Sequence, residues 1–278
     1  MNWKSLFKPI KSMSPEEFKA FQTGHKSDEY VLLDVRQPHE YEKTHIPGSK
    51  LIPVKQLAER LDELKRDRPI IVYCAGGVRS KAATQFLTGQ GFREVFNMTG
   101  GIRQWQGRPA TGTELQGIEL LNPQADFADG LALAYALEDG LQQFYFRLAE
   151  VVDNSDCKLL LTRLAGFEDK HKSWLAEEYR SIHKNDQAPP VDEGDGAVME
   201  GGRSVSQFLA RIRPEFIDLQ EIFDMAMMFE TQALDLYSRL SVKTEIPEVK
   251  DLFLRLVEEE TTHLSYLERE YERMMVRA

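Results

Sequence analysis

The chain has 278 residues, 42% hydrophobic and 29% charged, with a formal net charge of −10. That length accommodates two domains, each able to bury a core, while two cysteines exclude a disulfide framework and point to a reducing compartment. Residues 1–110 carry 18 basic and 12 acidic groups, net +6, and residues 111–278 carry 17 and 33, net −16, so the second half suits cations and neither half has the basic and aromatic density of a nucleic-acid surface.

The N-terminus interleaves Trp3, Phe7 and Ile10 with lysines but has no continuous apolar run of signal-peptide length, and no membrane-length span follows. A cytoplasmic protein with no membrane partner is expected. Ser14, Pro15 and Glu17 read as cap, first-turn proline and capping-box glutamate, which places the start of the globular part there. From Tyr30 short β-branched runs alternate with helical segments, the signature of an α/β domain with a parallel sheet. Ile70 to Tyr73 is an apolar strand that runs into a six-residue loop, Cys74, Ala75, Gly76, Gly77, Val78 and Arg79, before a helix expected near Ser80. Gly76 and Gly77 let successive amide N–H groups turn toward the sulfur, the helix start favours negative charge, and Arg79 adds a cation. The loop therefore reads as an anion cradle around a nucleophile.

These residues, with LLDVR at 32–36 (Asp34 and Arg36), HIPG at 45–48 and GGIRQW at 100–105, resemble the rhodanese family of sulfurtransferases over about Pro15 to Pro109. The resemblance implies that Cys74 attacks a sulfane sulfur, carries it as a persulfide and passes it to a thiol, with Arg79 assisting and Ala75, Gly76, Gly77 and Val78 binding substrate. Thiosulfate, polysulfide or a low-molecular-weight persulfide is the expected donor. The related phosphatases use a longer loop. Asp34 and Arg36 are expected to support the loop, His45 to hold the HIPG turn, and His39 and His183 to lie on the surface.

The domain boundaries are expected at 1–110, with the core at about 15–109, a linker at 111–125 and a second domain at 126–278. In the latter a pattern recurs 92 residues apart: Glu138, Glu168 and His171, then Glu230, Glu260 and His263, in register with Tyr145/Tyr237, Leu148/Leu240, Leu164/Leu256, Leu175/Leu267 and Tyr179/Tyr271. Duplicated helical hairpins follow, with helices at roughly 126–153, 156–183, 214–241 and 247–274 and a mobile acidic, Gly-rich crossover at 184–204. Each ExxH pair projects from one helical face, and a lone Glu on an apolar helical stripe is costly unless paired or metal-bound. Four carboxylates and two imidazoles are the ligand set of a two-metal four-helix bundle.

From about Pro123 onward the chain resembles the ferritin-like superfamily, in particular its rubrerythrin-type diiron carboxylate proteins. The resemblance implies an all-α four-helix bundle holding two irons, bridged by Glu168 and Glu260 with Glu138, Glu230, His171 and His263 terminal. Manganese would also suit six N/O ligands, and zinc suits them less well. Two departures stand out: Ala233 and Met227, one turn either side of Glu230, leave no further carboxylate, and no rubredoxin-like CxxC pair exists. Tyr145 and Tyr237, two turns past Glu138 and Glu230, could hydrogen-bond those carboxylates or simply pack. Cys157 reads as an inert thiol, and Met225, Met227 and Met228 as core filling.

The expected whole is a sulfurtransferase joined to a diiron oxidoreductase of peroxidase type, with an electron donor the sequence does not name, in a homodimer. Two other readings stay open: iron binding or oxidation with sulfur supply for iron-sulfur assembly, and a metal-stabilised dimerisation or sensing module.

Overall fold

The computed structural model describes residues 10–122, 125–184, 187–191, 196–199 and 202–275. Trp3, Phe7, Pro123 and the acidic stretch at 192–195 lie outside the described residues. Two compact units divide the chain, residues 1–114 with 237–242 and residues 115–236 with 243–278.

In the first unit, β1 (Lys11–Met13), β2 (Val31–Asp34), β3 (Lys50–Leu51), β4 (Ile70–Tyr73) and β5 (Val95–Met98) form one parallel sheet of order β1-β5-β4-β2-β3. Helices α1 (Pro15–Gln22), α2 (Pro38–Lys43) and α3 (Val78–Gly89) join the strands. The α1 cap is the predicted one: Ser14 Oγ accepts from Glu17 N at 3.1 Å, and Glu17 Oε2 accepts from Ser14 N at 2.7 Å. Side chains alternate across the pleat, so Ile70 and Val72 join Leu33, Val35 and Leu87 in one layer while Ile71 and Tyr73 join Phe18, Leu32 and Met98 in the other. Both faces being covered explains why β4 reads as a continuous apolar run.

α3 starts at Val78, two residues ahead of Ser80. Gly77, at φ +94°, takes the left-handed turn that reverses the chain at once, which brings Val78 and Arg79 into the first helical turn. The region read as a linker is also tied down. Gly112 N donates to Glu42 O at 2.8 Å and Leu51 N to Glu114 Oε1 at 3.1 Å, so the first unit runs on to 114.

The second unit is mostly helical: α4 (Phe127–Val151), α5 (Ser155–His183), α6 (Val205–Leu209), α7 (Leu219–Lys243) and α8 (Pro247–Met275). The four long helices have 25, 29, 25 and 29 residues, and each boundary of α7 and α8 lies 92 residues after its counterpart in α4 and α5. α7 begins five residues later than the apolar pattern implies. Pro214–Phe216 is a separate 3₁₀ turn, and Asp218 restarts the chain as a cap, its Oδ1 accepting from Glu221 N at 2.8 Å. No described helix is long and apolar enough to cross a membrane.

The crossover, read as a mobile connector, carries regular structure among its described residues. Its described part holds an antiparallel ribbon, β6 (Val198–Met199) with β7 (Arg203–Ser204), laid against α4 at Gly140. A β-carbon on Gly140 would fall 2.3 Å from Val198 O, so only glycine lets the two backbones meet. Gly140→Ala is therefore expected to cost about 2 kcal/mol by overpacking, read as a lower urea midpoint at unchanged m-value.

Candidate functional site: a thiol cradle and a buried carboxylate–imidazole cluster

Cys74 follows the last residue of β4 and is 1% exposed. Gly77 N donates to Sγ at 3.2 Å, and the amides of Gly76 and Ser80 also face the sulfur. What keeps the loop carbonyls turned away is the 3₁₀ turn Gly101–Gln104: Ile102 N donates to Cys74 O at 2.9 Å and Arg103 N to Ala75 O at 3.2 Å. Gly101, at φ +58°, permits this approach, since a β-carbon there would lie 2.1 Å from Cys74 O. Burial opposes ionisation of the thiol. The Ser80 hydroxyl and the three amides outweigh it and bring Cys74 below the ordinary thiol range.

Ser80 Oγ stands 3.5 Å from Sγ and 2.7 Å from Asn97 Oδ1, and its single proton cannot serve both. Turning the Asn97 amide over would let Nδ2 donate to Oγ and free the hydroxyl proton for a thiolate. Arg79 is also directed at Cys74, but both its Nη atoms bind the Glu40 carboxylate, at 2.6 and 2.8 Å. The other loop-region residues are framework. Arg36 and Asp34 form a buried pair at 2.6 Å, Arg36 Nη2 also donates to Thr44 O, and His45 stacks on Tyr41 with Nδ1 2.9 Å from its carbonyl. His39 and His183 are exposed.

In the second unit, Glu138 comes from α4, Glu168 and His171 from α5, Glu230 from α7, and Glu260 and His263 from α8; all but His263 are buried. Ligand atoms of Glu138, His171 and Glu260 lie within 4.8 Å of one another, as do those of Glu230, Glu260 and His263. Glu260 belongs to both triads, whereas Glu168 belongs to neither and is hydrogen-bonded to Glu138. His171 Nδ1 is 3.0 Å from Glu138 Oε2, His263 Nδ1 is 3.3 Å from Glu230 Oε2, and the two rings stack 4.6 Å apart at 7°. Burial, then the charges of Glu230 and Glu138, holds Glu168 well above the usual carboxylate range. Glu230 moves down: burial acts against it, and hydrogen bonds from Glu260 and His263 prevail. Such a concentration of buried carboxyls needs protons or cations to neutralise it, and the O/N donor set fits iron or manganese.

Tyr145 is buried edge-on to Phe144 and Phe229, and Tyr237 is fully buried. Burial raises the Cys157 thiol, as its neighbours Asp218 and Asp156 do, which fits an inert side chain. Met227 is core, with Met225 and Met228 packed against it.

The family model described as "Rhodanese-like domain" matches residues 14–108. The chain is 39% identical over 99 residues to "Uncharacterized protein YqhL" of Bacillus subtilis, covering 36% of this chain and 75% of that protein. It is 37% identical over 79 residues to "Thiosulfate sulfurtransferase GlpE" of Pseudoalteromonas translucida, covering 28% of this chain and 75% of that protein. This chain belongs to the rhodanese-like family. It is also 40% identical over 99 residues to "Putative sulfur carrier protein YrkF" of Bacillus subtilis, covering 35% of this chain but only 54% of that protein.

Three residues of the rhodanese-like domain escaped the sequence reading. Ser80 closes the quoted motif, yet only the fold puts its hydroxyl at the sulfur, and Asn97 and Glu40 arrive from β5 and α2 with no local signal. Arg79 holds Glu40 at a pKa of about 2 through its hydrogen bonds, against some burial. The stabilisation this contributes is complete above the ordinary carboxylate pKa and fades as pH falls through about 2. Since the pair is partly exposed, Glu40→Gln is expected to lower stability by only about 1 kcal/mol, by urea denaturation at neutral pH.

The second unit holds a comparable omission. Gln142 Nε2 donates to Asp169 Oδ1 at 2.7 Å and Lys172 Nζ to Gln142 Oε1 at 2.8 Å, and Lys172 also pairs with Asp139. The positions 92 residues on hold Leu234, Thr261, Leu264 and Thr231, so a break in the repeat was the available signal. Glu259, beside Glu260, reaches within 4.0 Å of His171 Nε2.

Proposed function

We propose that this protein is a sulfurtransferase that carries sulfane sulfur as a persulfide on Cys74, joined to a ferritin-like four-helix bundle whose diiron carboxylate site reduces peroxide. Family membership supports the first part. The second part is carried by one observation: five residues far apart in sequence, Glu138, His171, Glu230, Glu260 and His263, bring their donor atoms into two triads that share Glu260.

In the sulfur step the Cys74 thiolate attacks the outer sulfur of a donor such as thiosulfate or a persulfide. A Cys74–sulfur bond forms, the donor's S–S bond breaks, and the leaving group departs with the electron pair. An acceptor thiolate then takes the terminal sulfur and returns Cys74 to the thiolate. The loop amides and the Ser80 hydroxyl stabilise negative charge at Sγ throughout.

In the bundle, Glu138, Glu168, His171, Glu230, Glu260 and His263 would together hold the two metals, with the carboxyls supplying the neutralising charge. Bound iron would supply Lewis acidity and paired electrons for O–O cleavage. The stacking of His171 on His263 and their contacts to Glu138 and Glu230 orient the imidazoles. Tyr145 and Tyr237, two turns along from the lone carboxylates, would be the groups that tune them. A homodimer is part of this reading, and a monomeric sedimentation profile would count against it.

The test is metal content per chain on protein purified without air, together with peroxide consumption. Iron uptake without peroxide turnover would move the bundle to iron handling; metal that alters stability alone would make it a structural module.

A further inference from the structure

Arg79, the cation of the loop motif, is shared: both its Nη atoms lie on the Glu40 carboxylate, which offsets its charge, while the guanidinium also reaches Cys74. A dianionic donor approaching Cys74 brings more negative charge than a guanidinium already paired with a carboxylate offsets, and a second cation is in place. Arg103 is fixed at the loop by its backbone, N–H to Ala75 O at 3.2 Å, and its side chain returns across the mouth: a β-carbon on Gly76 would lie 3.8 Å from Arg103 Nη1. Its residue is exposed, and it sits beside Gly76, whose amide faces the sulfur. Val78, in the same loop, is 82% exposed and uncharged.

We infer that Arg103 is the donor-recognition residue of this rhodanese-like domain, selecting a small anionic sulfane donor of the thiosulfate class by binding the oxygens of its leaving group. The inference rests on the persulfide reading of Cys74. The enclosed sulfur, 1% exposed, suits a small inorganic donor. The Cys74 thiolate attacks the outer sulfur of thiosulfate, the Cys74–sulfur bond forms, the S–S bond breaks, and sulfite departs with the bonding pair. Three negative charges enter and three remain, one on the persulfide and two on sulfite. The guanidinium meets the two that leave, as a planar fork suited to oxyanions.

The experiment uses the full chain with thiosulfate as donor and cyanide as acceptor, following thiocyanate. Arg103→Gln keeps the backbone hydrogen bond to Ala75 and removes only the charge. Its KM for thiosulfate is expected to rise about tenfold, the worth of one charge-assisted contact, with kcat within about twofold and a flatter fall of kcat/KM with salt. Arg103→Lys should recover part of the KM. Arg93→Gln, an equal charge change at an exposed residue outside the loop, should leave KM unchanged. An unaltered KM in Arg103→Gln, an equal rise in Arg93→Gln, or a lower kcat at constant KM overturns the assignment while the persulfide reading stands. A parent protein that makes no thiocyanate from thiosulfate overturns it too, and if polysulfide also leaves no persulfide on Cys74, the reading beneath it falls.

Discussion

Replacing Cys74 with serine is expected to lower sulfurtransfer at least about a thousandfold and to abolish the persulfide adduct seen by intact-mass spectrometry. The exchange keeps the shape of a side chain buried between β4 and α3, so the urea midpoint should move little. The lost rate would then belong to chemistry and not to the fold. A serine hydroxyl ionises far outside the working range, and its oxygen cannot form the sulfur–sulfur bond that stores the transferred atom. The pH profile is a second measurement on the same atom. The amides of Ser80, Gly76 and Gly77 and the Ser80 hydroxyl place the Cys74 pKa below that of an ordinary thiol, despite burial acting the other way. The rate should therefore climb with pH through an ionisation below about 8.5 and flatten above it. Ser80→Ala removes one of the opposing donors and leaves the burial, so the rise should shift to higher pH. A profile that ignores Ser80 would mean that the amides alone hold the thiolate.

The sulfur loop was legible because its chemistry is local. A strand, a cysteine and two glycines within four residues dictate where the N–H groups go, and the fold supplies just that arrangement at Gly77. Less legible was everything that reaches the loop from other elements. Glu40 meets Arg79 across 39 positions, and Asn97 meets Ser80 across 17, distances over which no periodicity carries information. The 92-residue repeat was the opposite case. Each helix pair must bury the same stripe around the same Glu and His positions, so the duplication survives in the sequence and reappears as matching helix boundaries. Where backbone satisfies backbone the signal vanished: the β6–β7 ribbon looked like an acidic, Gly-rich connector because its partner on α4 is a glycine, Gly140, with no side chain to announce the contact. The start of α7 misled for a related reason, since Pro214 opens a turn that resembles a first helical turn until Asp218 caps the helix proper.

Glu168→Gln combined with Glu260→Gln is expected to reduce bound iron from about two per chain to none, in the ligand arithmetic of a two-metal bundle, and to end peroxide consumption with it. Stability separates this outcome from a merely structural role for the same carboxyls. Glu168 and Glu260 are 2% and 1% exposed, and Glu168 is held well above the usual carboxylate range by burial and by Glu230 and Glu138. Without metal these acids cost free energy, so an amide of equal size should leave the metal-free midpoint unchanged or raise it. With metal the order reverses: iron at a hundred times its dissociation constant stabilises the parent by about 2.7 kcal/mol per site, and the double variant should gain nothing. Differential scanning calorimetry with and without iron reads both signs in one experiment. A variant less stable than the parent in the absence of metal would mean that the carboxyls are there to bond one another. A parent that alone responds to iron would mean that they are arranged for a cation, with the shared position of Glu260 between the two triads marking where two metals would have to meet.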